Sequence, residues 1–188
     1  MPKTTMRLVT IFCFTATIAT TILYHRLGAD IYLTLAITFG TTAYHFGMRL
    51  LVGLFYNVVM NNRADYTKKW YQVGSWEKKV FQFLRVKTWK DKMPTYRPEI
   101  FSVQNHSWDE IAQAMCQAEL VHETNMVLSF LPMIAVKWFG SFGVFLIASI
   151  CGAVFDLVFV VIQRYNRTRI VKLALKERQR GSKLRPHL

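Results

Sequence analysis

Three stretches of the chain carry no Asp, Glu, Lys or Arg: Leu8–Leu23, Ile31–Met48 and Trp138–Phe155. At 1.5 Å per residue, helices of roughly 18 residues span or nearly span a ~30 Å hydrocarbon layer. A fourth apolar segment, Met126–Val136, has only 11 residues and is too short to cross alone. It is either re-entrant or part of a longer segment that includes Glu119, His122 and Glu123, and the longer segment is the preferred reading. The pattern predicts an all-α, multi-pass membrane helix bundle forming a single membrane domain over residues 1–188. About four transmembrane helices are expected, near 8–24, 31–55, 117–137 and 141–162. Leu8–Tyr24 resembles a signal peptide, but the run is long, lacks a clear small-x-small cleavage site and is followed at once by another span. It reads as a retained helix.

The remaining segments are a connector over 61–116 and a tail over 163–188. The connector interleaves Tyr66, Trp70, Tyr71, Trp76, Phe81, Phe83 and Trp89 with lysines and arginines. Such a mixture suits a headgroup zone, where rings bury and cations meet phosphate, so an amphipathic cytoplasmic connector is expected. Ser107-Trp108-Asp109-Glu110 has the S-x-x-E capping-box form. It predicts a helix starting near Trp108 and running through Glu119 and His122 into Met126–Val136. Residues 139–143, with Gly140 and Gly143, make the turn before the last span.

Charge decides the orientation. The sequence has 24 basic and 11 acidic residues, a net +13. Ten of the basic residues fall in 61–121 and nine in 163–188, whereas Arg26 and Lys137 stand alone in the two short turns. Alternation of this kind is the positive-inside pattern rather than a nucleic-acid stripe, and it places both termini and the long loop in the cytoplasm. No nucleic-acid partner is expected. With 52% hydrophobic and 19% charged residues, an ordinary soluble domain is excluded. Cys13, Cys116 and Cys151 have no paired spacing, which argues against a disulfide framework or a zinc site.

Ionisable residues inside spans are costly and are therefore functional candidates. His45 lies 14 residues from Ile31, His122 15 from Lys137 and Asp156 15 from Ser141. Continuous α-helices would put all three ~21–23 Å deep, with Arg49 one turn from His45 and Glu119 one turn from His122. Such a layer serves either a substrate or the adhesion of helices. Glu119 and His122 form one E-x-x-H pair, whereas di-iron bundles need two and further carboxylates, so no metal is expected. His106 and Asp109 superficially resemble the histidine–aspartate box of glycerolipid acyltransferases, but two residues separate them instead of four. No hydrolase, nucleotide-loop or dinucleotide motif is present. Gln163-Arg164-Tyr165-Asn166-Arg167 follows the last apolar run and admits two readings, a stop-transfer cluster or a binding element.

Three blocks together carry a family resemblance: Trp89-Lys90-Asp91-Lys92-Met93-Pro94, Ala118-Glu119-Leu120-Val121-His122 and Gln163-Arg164-Tyr165-Asn166-Arg167. In order and approximate spacing they resemble the W-K-x-x, A-E-L-x-H and Q-R-Y-N-R blocks of the small bacterial membrane acyltransferases typified by glycosyl-4,4'-diaponeurosporenoate acyltransferase. The likeness covers about residues 70–172. Asp156, Val158 and Thr168 depart from the Asn, Pro and Pro usual in that family.

The resemblance implies an enzyme of the bacterial cell membrane that moves a fatty acyl group from a thioester to a hydroxyl of a glycosylated lipid or isoprenoid. Its donor would be acyl-CoA or acyl carrier protein, used as co-substrate with no bound cofactor, and its partners these two substrates and membrane lipid. His122 is the expected general base; Glu119 either orients its ring or, as a helix neighbour at i and i+3, points into a separate network. Arg164 and Arg167 suit the donor phosphate or the oxyanion, with Lys90 and Lys92 as further phosphate contacts. Gln163 and Asn166 suit sugar hydroxyls, and Tyr165, Trp89, His45, Arg49 and Asp156 complete the expected substrate-binding set. Two other classes remain open: a non-catalytic lipid-binding or structural membrane subunit, and a small membrane methyltransferase or reductase.

Overall fold

The computed structural model describes residues 3–93 and 98–183. Pro94, which closes the first sequence block, and residues 184–188 of the basic tail lie outside the described residues. Among those described, the chain is helical with no strand. The helices are α1 (Lys3–Leu27), α2 (Asp30–Met60), α3 (Ser75–Phe83), α4 (Val86–Trp89), α5 (Trp108–Leu128), α6 (Val136–Phe139) and α7 (Phe142–Lys183). Single 3₁₀ turns lie at Lys69–Tyr71, Lys90–Lys92, Pro98–Phe101 and Leu131–Ala135. Two described helices, α1 and α7, are long and apolar enough to cross a membrane. Helix α2 has the length, but Thr34, Thr38, Thr41, Thr42, Tyr44, His45 and Arg49 dilute its apolar character.

Contacts separate two compact units where the sequence suggests one membrane domain. The first comprises residues 1–55 and 124–156, the second 56–123 and 157–188. In the first unit, α1 ends at Gly28, whose φ of 67° suits the left-handed residue that closes a helix. Gly40 and Gly47 of α2 then lie against Thr17 and Thr10 of α1, each within 3.4–3.6 Å of where a Cβ would stand. Small residues two turns apart allow this close approach, a common device of membrane helix pairs. The hydroxyls of Thr10, Thr15, Thr17, Thr20 and Thr21 bond back to carbonyls about one turn earlier, for example Thr17 to Cys13 at 2.7 Å, and so are satisfied within the helix. Leu8, Ile11, Phe12 and Phe14 are exposed.

The expected helix from Trp108 to Val136 stops at Leu128, giving way to the 3₁₀ turn Leu131–Ala135. Pro132 explains the break, since it has no N–H and its ring collides with the carbonyl four residues back. That carbonyl, on Leu128, accepts the Tyr44 hydroxyl at 2.8 Å. The depth count from Lys137 to His122 therefore fails, because it crosses a 3₁₀ segment that rises about 2.0 Å per residue. Gly140 and Ser141, both at positive φ, form the expected turn into α7.

In the second unit, Asn61 and Asn62 in left-handed conformation end α2, and the Asn62 N–H donates to Gln117 Oε1 at 2.6 Å. The capping box forms as expected: the Ser107 N–H reaches Glu110 Oε2 at 2.9 Å, and the Glu110 N–H reaches Ser107 Oγ at 3.3 Å. Tyr66, Tyr71, Ala112 and Cys116 build the core, with Ile170 and Val171 of α7 packed against it. The Q-R-Y-N-R block, expected just beyond a span, is the middle of a helix that continues to Lys183.

Candidate functional site

Each unit contains one concentration of buried polar groups. In the second unit its centre is Glu119 of α5, which is fully buried. Arg164 Nη1 donates to Glu119 Oε1 at 2.6 Å, and Arg167 Nη1 donates to Glu119 Oε2. Two residues separate the arginines on α7, an i, i+3 spacing, so both side chains leave the same face one turn apart. Arg164 also places Nε 2.7 Å from Glu77 Oε1, and Arg167 donates to the Tyr71 carbonyl at 2.6 Å. The Arg167 guanidinium lies 5.2 Å from the centre of the Tyr71 ring. Two of the three sequence blocks thus meet in an ion cluster, with residues 71–77 as the third side. Both oxygens of Glu119 are engaged by arginines, which corresponds to the separate-network alternative.

The half-buried His122 ring stacks on Phe159, with ring centres 4.9 Å apart and planes 13° from parallel. In the third block, the indole N–H of Trp89 donates to the Leu84 carbonyl at 2.8 Å, Lys90 pairs with Asp91 and Lys92 is exposed. Gln163 Oε1 is buried without a hydrogen-bond partner, Asn166 is half-buried and the Tyr165 ring meets Phe81 edge-on at 5.8 Å. His106 pairs with Glu110 at 3.7 Å, while Asp109 accepts from Tyr66 at 2.6 Å, Gln113 at 2.8 Å and Arg178 at 2.6 Å. The residues of the superficial histidine–aspartate box thus face different partners. Burial alone would raise the Asp109 pKa, but hydrogen bonds from Tyr66 and Gln113 and the Arg178 charge hold it below the usual carboxylate value. Burial, reinforced by the Asp109 carboxylate, pushes the Tyr66 phenol up to about 12.

Beside the ion cluster lies a cleft of about 750 Å³. Lys78, Arg85, Lys87, Arg167 and Lys172 line it together with the rings of Tyr66, Tyr71, Phe81 and Tyr165, and no acidic residue takes part. Trp89, Lys90 and Lys92 are not among its lining residues. Sequence reasoning therefore missed four of the five cations. Lys78 and Arg85 do recur at helical spacing, but Lys172 joins them only through the packing of α7.

In the first unit the structure brings together His45, Arg49 and Asp156. Asp156 is fully buried and accepts from Arg49 Nη2 at 2.6 Å and, more weakly, from Asn125 Nδ2 at 3.4 Å. Arg49 also donates to the carbonyls of His45 and Gly152 at 2.7 and 3.0 Å and lies over the Phe155 ring. Tyr44, Asn125, Ser129 and Ser149 complete this set, and none carries a charge that would single it out in sequence.

The family model for glycosyl-4,4'-diaponeurosporenoate acyltransferases matches residues 67–176, more than half of the chain. The chain belongs to this acyltransferase family. No curated protein and no solved structure matches it. The matched region contains the ion cluster, His122 and the basic cleft. Within this acyltransferase family member, the region that matches is thus also the one that collects the cations. The apolar helices α1 and α7 accord with a membrane location.

Proposed function

We propose that the chain transfers a fatty acyl group from an acyl thioester to a hydroxyl of a glycosylated lipid, a glycosyl carotenoid being the acceptor type that the family name indicates. The observation that carries this reading is the cleft whose charged lining residues are all cations, each of them within the family-matched region. Both acyl-CoA and acyl carrier protein present their thioester on a phosphorylated pantetheine arm. Lysine and arginine side chains recognise such phosphates through charge-assisted hydrogen bonds. Arg164 and Arg167 have a different part in this mechanism from the one their sequence suggests. Held by Glu77 and Glu119, they fix α7 against α5, and Arg167 contributes to the cleft wall.

Ester formation needs a base for the acceptor proton, and His122 fills that role in this reading. The proton moves from the hydroxyl to an imidazole nitrogen as oxygen attacks the thioester carbonyl. Collapse of the tetrahedral intermediate then expels the thiolate, which recovers a proton. The stack on Phe159 fixes the plane of the ring. The experiment is acyl transfer by the purified protein in lipid nanodiscs, with labelled thioester and glycosylated lipid. His122→Ala should insert normally and lose turnover by ~10²–10⁴, the usual contribution of a general base. Near-normal turnover would remove His122 from the mechanism, and thioester binding with no acylated product would favour a lipid-binding subunit.

In the same reading the chain crosses the membrane four times with both termini in the cytoplasm. The basic excess in the long loop and in the tail supports this orientation. Cysteines introduced at Tyr71 and Lys176, in a background lacking the native ones, should label from the same side. Labelling from opposite sides refutes the four-span arrangement.

A further inference from the structure

His45 is buried to 9% exposure, and neither of its ring nitrogens has a hydrogen-bond partner. It is not alone. Ser149 Oγ, Asn125 Oδ1 and Arg49 Nε, all in the same unit, are also buried and unpartnered, with Ser149 at 0% and Asn125 at 1% exposure. Leaving buried polar atoms unpaired costs free energy, so a cluster of them marks a place where something else completes the bonding.

The geometry makes these atoms one site. Gly152 is the pivot: a Cβ there would stand 3.0 Å from His45 Nδ1 and 3.1 Å from Ser129 Oγ. Its carbonyl holds Arg49, and Arg49 and Asn125 both hold Asp156. Ser149 precedes Gly152 by three residues on α7 and Asp156 follows it by four, which keeps all three on one helix face.

We propose that this site binds an uncharged, hydroxyl-rich headgroup, the sugar of the acyl acceptor. Arg49 and Asp156 form an ion pair, so an ionic ligand would have to compete with that pair. The unpartnered atoms include both kinds of hydrogen-bonding group. Asn125 Oδ1 accepts, Arg49 Nε donates, and Ser149 and a neutral imidazole each do both. A carbonyl or ester ligand would satisfy only the donors and a cation only the acceptors, whereas each hydroxyl satisfies one of either kind. The assignment of this sugar to the acceptor rests on the acyl-transfer reading; the binding site itself does not.

The test is equilibrium binding of labelled dodecyl β-D-glucoside to the full chain in nanodiscs, with the tetra-O-methyl glucoside and free glucose as comparisons. The glucoside should bind saturably and the methylated compound should not. Binding of free glucose with equal affinity would show that the ligand is a soluble sugar and would overturn the acceptor assignment. Ser149→Ala and His45→Phe should each weaken glucoside binding about tenfold, the effect of one lost hydrogen bond. Thermal stability without glucoside separates recognition from helix adhesion: Ser149→Ala removes an unpaired hydroxyl and should not lower it. Unchanged affinity in both folded variants, or equal binding of the methylated glucoside, overturns the proposal. Acyl-transfer activity with no glucoside binding would refute the site but leave the reaction standing. Binding with no transfer would do the reverse.

Discussion

The buried polar groups of the two units differ in how completely they are used. In the second unit the carboxylate of Glu119 receives two guanidinium groups, and those arginines are in turn held by Glu77 and the Tyr71 carbonyl. In the first, Arg49 and Asp156 pair, yet His45, Asn125 and Ser149 retain unpartnered atoms. A completed ion network fixes helices but has little left for a ligand. An incomplete one carries an energetic debt that binding relieves. The most conspicuous charges of the chain are therefore engaged with one another, and the two proposed recognition surfaces, the basic cleft and the surroundings of His45, use groups that these pairs leave over.

The largest expected effect comes from breaking the completed network. Glu119→Ala leaves Arg167, 2% exposed, without its carboxylate. Loss of one partner of a buried pair typically costs about 3–5 kcal/mol. Denaturation of the reconstituted variant should register a loss of that order. A loss under about 1 kcal/mol, the scale of a surface pair, would mean that the network is not what holds the unit.

Lys172→Ala should have a smaller and different effect, since this exposed cation lines the cleft outside the ion cluster. A hydrogen bond to a charged group contributes roughly 1.5–3 kcal/mol, so donor KM should rise about tenfold or more while stability holds. Reduced stability with unchanged KM would assign Lys172 to the scaffold and dissolve the distinction between network and cleft.

The last effect is confined to a pH window and is absent at neutral pH. Burial pushes the phenols of Tyr66 and Tyr71 up from 10 to about 12. With the folded values above the unfolded one, their contribution is complete below pH 10 and disappears as pH rises through 12. Alkaline titration of stability should fall across that interval, and Tyr66→Phe should flatten the fall. An unaltered profile in Tyr66→Phe would exclude this phenol as a source of the loss.

Much of this was legible in the sequence. The S-x-x-E cap at Ser107 and the turn at 139–143 follow from local chemistry, and three short blocks identify the family. His45, Arg49 and Asp156 could be grouped because charges in apolar helices are rare enough to stand out. Pro132 was readable as a helix breaker too, but the apolar run around it suggested continuity. Tertiary structure alone decided which groups are satisfied. Whether Glu119 serves His122 or two arginines, and whether Ser149 has a partner, depends on side chains brought from distant helices. Hydropathy and helical period place a residue on a face, but they do not determine which partner meets that face, because hydrogen bonds and ion pairs act over about 3 Å.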